Sequence, residues 1–265
     1  MRLPIYQVDA FASEVFRGNP AAVCPLETWL PDATMQAIAT ENNLAETAFF
    51  VQTGPAQYHL RWFTPEVEVD LCGHATLAAA AVLFEKRGEA STAVAFDTRS
   101  GVLHVARDGE TYTLDLPVRQ PRPLPLDRQV SVALGAEPRE LWLARDCMAV
   151  YDTEADVRAL APDMARVKAL GVFGFIATAP ADPALSPGAD FVSRFFAPSA
   201  GVAEDPVTGS AHCTLVPYWA DRLAKTTLEA RQVSRRGGVI RCTIDGDRVR
   251  LTGRAVFYLE GTITV

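Results

Sequence analysis

The chain has 265 residues and a mass of 28.7 kDa, enough for one large domain or two small ones. Because 49% of the residues are hydrophobic and 22% are charged, the composition excludes intrinsic disorder and fibrous repeats. The formal net charge is −7 and the basic residues are scattered, so we expect no nucleic-acid partner.

The sequence also carries signals about location and oxidation state. Its first residues run straight into a strand pattern without the features of a signal peptide. The longest small-apolar run, Ala75 to Phe84, spans about half of what a bilayer requires. The five cysteines contain no C-x-x-C pair, which is typical of reduced thiols. We therefore expect a cytoplasmic protein without a membrane span, a disulfide frame or a metal site.

The first half of the chain is predicted to begin with strands and a hairpin. A short helix follows at Pro31-Asp32, and more strand leads to a long helix from His74 to Lys86. This long helix is apolar nearly all round, so it must be enclosed by other elements. The dipeptide Asp108-Gly109 then predicts a tight hairpin.

The second half repeats this order after a proline-rich segment, Leu116 to Pro125, which suits a linker between lobes. A short helix begins at Pro162-Asp163, and a long one runs from Ala211 to Leu223. Pro217 in this long helix predicts either a kink or a position within the first turns. The hairpin signal recurs at Asp245-Gly246.

Short sequence matches recur in the same order in the two halves, which indicates that the chain is duplicated. The clearest are Arg61-Trp62-Phe63-Thr64-Pro65 with Arg194-Phe195-Phe196-Ala197-Pro198, and Gly73-His74-Ala75 with Gly209-Ser210-Ala211. We predict an α+β fold of two pseudo-symmetric lobes, each a curled, mostly antiparallel sheet around a central helix. The predicted lobes are residues 1–117 and 118–265, and the last strand, about 255–265, is a candidate to complete the N-terminal lobe.

Both long helices begin with glycine, at Gly73 and Gly209, where free backbone N–H groups favour an anion such as a carboxylate. The plainer interpretation is that these glycines only permit turns, with His74 and Ser210 as helix caps. Two equivalent loops in one duplicated chain favour a binding site in a cleft between the lobes.

Acidic residues lead into these loops and into one strand. Glu204 and Asp205 precede the second long helix, and helix capping accounts for only one of them. Glu46 enters an aromatic strand, where burial favours a general acid or base. The corresponding stretch of the second half, residues 171–176, has no acid, and this asymmetry favours a catalytic role for Glu46.

Cys72 is the remaining candidate, because a thiol at a helix start is a potential nucleophile or base. A two-base racemase requires a second thiol in the facing loop, which has none before Cys213, inside the helix. A hydrolase requires Cys72 and His74 to converge across a glycine. The pattern favours a non-catalytic Cys72, which we predict to contact the substrate instead.

Four motifs taken together resemble the PhzF-like (phenazine biosynthesis) family of the diaminopimelate epimerase-like superfamily. They are Val8-Asp9-Ala10-Phe11 with Phe16 to Val23, Ala45-Glu46-Thr47, Cys72 to Thr76, and Glu204 to Ala211. The resemblance runs from the first strand to the end of the chain. It implies two pseudo-symmetric lobes with the active site between them.

By this resemblance, Glu46 matches the family's catalytic glutamate, which shuttles a proton in an isomerisation that needs no cofactor. His74, Asp205 and Ser210 match its partners, while Gly73 and Gly209 match backbone donors to a substrate carboxylate. The related epimerases use two opposed cysteines; here Cys72 resembles the first, and Pro206 stands about where the second is expected.

We therefore expect a phenazine-biosynthesis-type isomerase that acts on a small amino- or hydroxy-carboxylate in a biosynthetic process, without a metal or organic cofactor. Homodimers are the general prior for its assembly. Two alternatives stay open: an epimerase or racemase that uses Cys72 with Asp205 or Glu46, and a binder of small acids without turnover.

Overall fold

The computed structural model describes all 265 residues, and the chain divides into two compact units. Unit 1 comprises residues 1–116 and 250–265, and unit 2 comprises residues 117–249. No helix is both long and apolar enough to cross a bilayer.

Unit 1 takes its elements from both ends of the chain. Its first part contains β1 (Arg2–Ala10), β2 (Asn19–Leu26), α1 (Asp32–Asn42), β3 (Glu46–Gly54), β4 (Gln57–Phe63), β5 (Glu68–Val69), α2 (Gly73–Lys86), β6 (Ala93–Thr98), β7 (Gly101–Asp108) and β8 (Thr111–Pro117), whose last residue lies beyond the unit boundary.

The middle of the chain forms unit 2, and the last two strands return to unit 1. The elements are β9 (Arg122–Leu124), α3 (Arg128–Leu134), β10 (Glu140–Leu143), β11 (Cys147–Val150), α4 (Glu154–Ala159), α5 (Met164–Ala169), β12 (Phe175–Pro180), β13 (Phe191–Ala197), β14 (Val202–Asp205), α6 (Gly209–Leu223), β15 (Thr227–Gln232), β16 (Gly238–Asp245), β17 (Arg248–Gly253) and β18 (Ala255–Thr264), with a 3₁₀ turn at Pro198–Ala200. The boundary between the units falls within β17.

The strand pairing of the two units follows one plan. In unit 1, β1–β2 is antiparallel, β2–β3 parallel, β3–β4 and β4–β5 antiparallel, β4–β6 parallel and β6–β7 antiparallel. In unit 2 the same sequence of directions holds for β10–β11, β11–β12, β12–β13, β13–β14, β13–β15 and β15–β16. The predicted α+β class and the duplication are confirmed.

The apolar helix predicted from the first half is α2, and it is enclosed within unit 1. Every residue from Gly73 to Phe84 is buried, and the helix packs against β1, β2, β3, β7 and β18. The final strand β18 pairs with β1 along almost its whole length, from Arg2 opposite Thr264 to Ala10 opposite Ala255. The enclosure follows from the sequence, since a helix without a polar face gains from burial on all sides.

In unit 2, Pro217 lies in the interior of α6, past its first turns. Because proline has no N–H, the carbonyl of Cys213, four residues earlier, has no helical partner. The backbone N–H of Arg119 donates to this carbonyl at 2.9 Å. Part of the segment predicted to be a linker is therefore fixed to the helix, and β9 occupies another part of it.

Candidate active site

A short contact between Glu46 and His74 forms the centre of the candidate site in unit 1. Glu46 is the first residue of β3 and His74 is the second residue of α2. The Oε2 atom of Glu46 lies 3.0 Å from Nε2 of His74, and the two side chains are only 14% and 4% exposed. The strand and the helix thus join two residues that are 28 positions apart in the sequence into one buried acid–base pair.

Asn19 holds the other side of the His74 ring, with Nδ2 3.0 Å from Nδ1. The turn before it needs Gly18, whose φ is +64° and whose Cβ, if present, would overlap the carbonyl oxygen of Ala10. Sequence reasoning missed Asn19 as a site residue, although it stands in the Phe16 to Val23 motif. The sequence did contain a signal for it, namely a polar side chain directly after a glycine that favours a turn.

Cys72 lies against the same ring, with Sγ 3.5 Å from Nδ1 and 4.0 Å from Nε2 of His74. Burial and the nearby charge of Glu46 raise the pKa of the Cys72 thiol to about 11. Burial by itself lowers the pKa of His74, but the Glu46 carboxylate opposes this effect, and the pKa lies above its ordinary value.

The hydrogen-bond pattern determines where His74 carries its proton. In the neutral ring, Nδ1 accepts from the Asn19 amide, so the hydrogen is on Nε2 and faces Glu46. In the charged ring both nitrogens carry hydrogens, so Nε2 still donates toward Glu46, whereas Nδ1 can bond to the Asn19 amide only through its oxygen, Oδ1. His74 is therefore a donor toward the Glu46 carboxylate in both states.

The unit 1 cluster also has the spacing of a metal site, which the sequence spacing did not indicate. One ligand atom from each of Glu46, Cys72 and His74 lies within 4.8 Å of the other two. These donor types suit a divalent transition metal. Since Nδ1 of His74 lies against Asn19 and Nε2 lies against Glu46, the same atoms also form a close acid–base cluster without an ion.

In unit 2, the two acids before α6 have different surroundings. Glu204 receives two hydrogen bonds from Arg194, at 2.7 and 3.0 Å, and so forms a bidentate ion pair. Unit 1 has the same pair, in which Arg61 donates to Glu68 at 2.7 and 2.8 Å. Glu204 therefore has a structural role that is present in both units.

Asp205 instead accepts a hydrogen bond from the Thr208 hydroxyl, three residues later in the same loop. Gly209 and Ser210 are the first two residues of α6, so the loop brings together the site residues predicted in this half. In unit 1, Gly73 and His74 are likewise the first two residues of α2.

The plainer capping interpretation of His74 and Ser210 is wrong. The N-caps are Cys72 in α2 and Thr208 in α6; neither makes a side-chain capping bond, and neither first turn contains an acid. The backbone N–H groups at both helix starts lack side-chain caps. The position equivalent to Cys72 is thus that of Thr208 rather than Pro206.

The strand register identifies the counterpart of Glu46 in unit 2. Phe49 pairs with Arg61, and Ala177 pairs with Arg194, so Glu46 corresponds to Gly174, three residues before Ala177. A Cβ atom at Gly174 would lie 2.5 Å from Cζ of Phe195. The aromatic ring occupies the space, and an acid cannot replace this glycine without rearrangement.

Unit 2 has a buried acid at the start of β11, the strand that pairs with β12. Sequence reasoning also missed this acid. Asp146 immediately precedes β11, is fully buried, and has two carboxylate oxygens without hydrogen-bond partners. Burial raises the pKa of Asp146 to about 6, although Arg145 and Arg119 oppose the shift. By strand register it occupies the position of Ala21, which pairs with Glu46 in unit 1.

Comparison with known proteins places this fold. A hydroxyproline epimerase from Agrobacterium vitis has the same fold at 12% identity, with a TM-score of 0.64 over 99% of this chain and 92% of the other. A PhzF-family crystal structure from Enterococcus faecalis matches at 48% identity and a TM-score of 0.95, covering 100% of both chains. The fold is thus shared with a PhzF-family protein and with an epimerase.

Sequence comparison identifies the family within this fold. The family model described as "phenazine biosynthesis-like protein" (PhzC-PhzF) matches residues 8–261. An uncharacterized isomerase of Pseudomonas aeruginosa is 51% identical over 263 residues, or 99% of each chain. The chain belongs to the PhzF-like family, as the four sequence motifs predicted.

The environment of Cys72 predicts slow thiol chemistry. At pH 7.5, a thiol with a pKa near 11 is almost entirely protonated, so native protein should react with iodoacetamide at Cys72 far more slowly than a free thiol does. Glu46→Gln removes one cause of the raised pKa and should accelerate labelling. Mass spectrometry of the Cys72 peptide from pH 7 to 10 measures both rates. Rapid labelling of the wild type at pH 7 would contradict the prediction.

The burial of Asp146 predicts a pH-dependent stability. Its folded pKa of about 6 exceeds the ordinary 3.8, so the folded state binds the proton more tightly and loses stability as the pH rises from about 4 to 6. The loss is at most about 3 kcal/mol. Asp146→Asn should stabilise the protein at pH 7.5, with a gain that shrinks below pH 5.

Urea denaturation at several pH values measures this effect on the free energy of unfolding. Asp152→Asn is the matched control, because Asp152 is exposed and pairs with exposed Arg139. The control should leave the pH dependence unchanged. If Asp146→Asn destabilises the protein equally at pH 5 and pH 7.5, the buried charge is not the cause.

Proposed function

We propose that this protein is an isomerase of the PhzF type that needs no cofactor and moves a proton within a small amino- or hydroxy-carboxylate. The observation that carries the proposal is the buried contact of 3.0 Å between Glu46 and His74. The names of its relatives, such as the isomerase from Pseudomonas aeruginosa, agree with the reaction class.

In the proposed reaction, the Glu46 carboxylate removes a proton from an activated carbon of the substrate. The C–H bond breaks and a Glu46 O–H bond forms, while the electron pair stays in the substrate's conjugated system. Glu46 then returns the proton to another carbon of the same molecule. No oxidant or reductant is consumed, so the atoms and electrons balance.

His74 supports Glu46 through the hydrogen on Nε2, which faces the carboxylate. Asn19 keeps the ring in this orientation from the other side. A base that is positioned before substrate arrives loses less entropy in the transition state. Cys72 stays neutral next to the ring, which favours acid–base chemistry by Glu46 over chemistry by the thiol.

We assign the remaining predicted residues to substrate binding and charge stabilisation. Asp205 assists proton transfer, and Ser210 holds the substrate. The backbone N–H groups at Gly73 and Gly209 bind the substrate carboxylate, which the absence of acids from both first turns supports. We further propose a cytoplasmic homodimer in a biosynthetic process, for which light scattering of the purified protein tests the assembly.

Proton exchange in deuterated water tests the proposed function. Small cyclic and acyclic amino and hydroxy acids are incubated with the protein, and NMR follows deuterium at each carbon. We expect exchange with the wild type and a loss of about 10²- to 10⁴-fold in Glu46→Gln, because the amide cannot accept the proton.

Two controls separate the alternatives. Exchange that survives in Glu46→Gln but disappears in Cys72→Ala would assign the reaction to the thiol and favour an epimerase. Exchange that is lost after treatment with EDTA and restored by Zn²⁺ would contradict the proposal of a cofactor-free reaction. Binding of an acid without any exchange would favour a non-catalytic binder.

A mutational cycle tests whether Asp205 and Glu46 act in the same reaction. Asp205→Asn should lower the exchange rate about 10- to 100-fold by itself, because it removes a group that assists proton transfer. Residues that act as a unit are non-additive, so the double variant Glu46→Gln/Asp205→Asn should be little slower than Glu46→Gln. Rate losses that multiply fully would show that the two carboxylates act independently.

A further inference from the structure

The loop that carries Asp205 is held by one buried side chain from another strand. Gln232, the last residue of β15, is fully buried. Its Oε1 accepts the backbone N–H of Thr208 at 2.8 Å, and its Nε2 donates to the carbonyl oxygen of Asp205 at 2.7 Å. A second bond from Nε2 reaches Oγ1 of Thr208 at 3.2 Å. Both the oxygen and the nitrogen of the Gln232 amide thus form hydrogen bonds with the loop, to Asp205 and Thr208.

These bonds determine the direction of the next one. The Nε2 atom of an amide donates only, so Oγ1 of Thr208 must be the acceptor from Gln232. The single hydrogen of the Thr208 hydroxyl is then available for Oδ2 of Asp205, with which it makes a short contact. Gln232 therefore orients the Asp205 carboxylate through Thr208, and it also holds the Asp205 backbone.

The equivalent position in unit 1 has a different role. Val192 corresponds to His59, two residues before the paired arginines, and the parallel pairs His59–Asp97 and Val192–Arg231 make Thr98 the counterpart of Gln232. Thr98 bonds within its own turn, donating to the carbonyl oxygen of Gly101 and accepting from the N–H of Ser100. The hydrogen bonds that hold the loop are therefore specific to unit 2, which contains Asp205.

We propose that Gln232 is a positioning residue for the isomerisation, acting through Thr208 to fix the carboxylate of Asp205. The inference rests on the proposed function, in which Asp205 takes part in the reaction. It adds a residue outside the four sequence motifs, 27 positions after Asp205 in the chain.

The chain offers a matched control in Ser234. Its hydroxyl donates to the carbonyl oxygen of Pro206 at 2.8 Å, and it also accepts the N–H of Gly237 at 3.1 Å. Ser234→Ala therefore removes a hydrogen bond to the same loop without touching Asp205 or Thr208. A general loosening of the loop should affect both variants, whereas loss of positioning should affect only Gln232.

Three variants, Gln232→Met, Gln232→Glu and Ser234→Ala, are compared with the wild type in the deuterium-exchange reaction. Gln232→Met keeps the length of the side chain but removes all three bonds, and we expect kcat to fall about 10- to 100-fold, by the loss of positioning. The KM should change less than threefold. Ser234→Ala should stay within about threefold of the wild type in both constants, which is within the effect of one peripheral hydrogen bond.

Gln232→Glu gives a readout that a purely structural role would not produce. A protonated carboxyl group can replace part of the amide by accepting from the Thr208 N–H and donating to Asp205, but an ionised one cannot donate. We therefore expect the activity of this variant, relative to the wild type, to recover as the pH is lowered. Circular dichroism and thermal denaturation confirm that each variant is folded.

Hydrogen exchange of the backbone amides provides a measurement that does not depend on activity. Gln232→Met should reduce the protection of the Thr208 amide, whereas Ser234→Ala should leave it unchanged. Unchanged protection at Thr208, or a kcat of Gln232→Met within twofold of the wild type while Asp205→Asn is impaired, would overturn the inference alone. An unimpaired Asp205→Asn would overturn the proposed role of Asp205 and the inference with it.

Discussion

A partly buried bidentate ion pair anchors the segment that leads to the long helix in each unit, and the candidate residues at the helix starts follow this segment in the chain. Arg61 of β4 binds Glu68 of β5, and Arg194 of β13 binds Glu204 of β14. The fork geometry of arginine matches a carboxylate, so each pair fixes the loop in orientation as well as in distance. In unit 1 the pair is part of a larger network, because Arg61 also binds Asp32 and Glu68 also contacts Arg99.

Duplication provides the framework, and the exceptions to it carry the candidate chemistry. The strand directions and the arginine–glutamate pairs are repeated in both units, which is expected of features that stabilise a fold. Glu46, by contrast, corresponds to Gly174, where the ring of Phe195 fills the space of a side chain. Gln232 likewise has contacts that its unit 1 counterpart, Thr98, does not make. A residue that departs from the repeat is therefore a better candidate for function than one that follows it.

The cluster in unit 1 shows how burial distinguishes residues that look equivalent in a motif. Cys72 and His74 flank the same glycine, and both are almost fully buried. Burial favours the neutral form of both side chains, but the contact with the Glu46 carboxylate favours the charged imidazole and opposes the effect at His74. The result is a mainly protonated thiol beside a ring whose pKa is raised.

The sequence by itself determined the duplicated α+β fold and the family, and it predicted Glu46, His74 and Asp205 as candidates. These features depend on short stretches of the sequence: apolar periodicity, glycines at helix starts and short motifs in a fixed order. Only the tertiary structure decided that Glu204 is an ion-pair partner, that Asn19 and Gln232 hold the site residues, and that Asp146 is buried without a hydrogen-bond partner. Each of these depends on contacts between strands and helices far apart in sequence, and such contacts are set by strand register and packing.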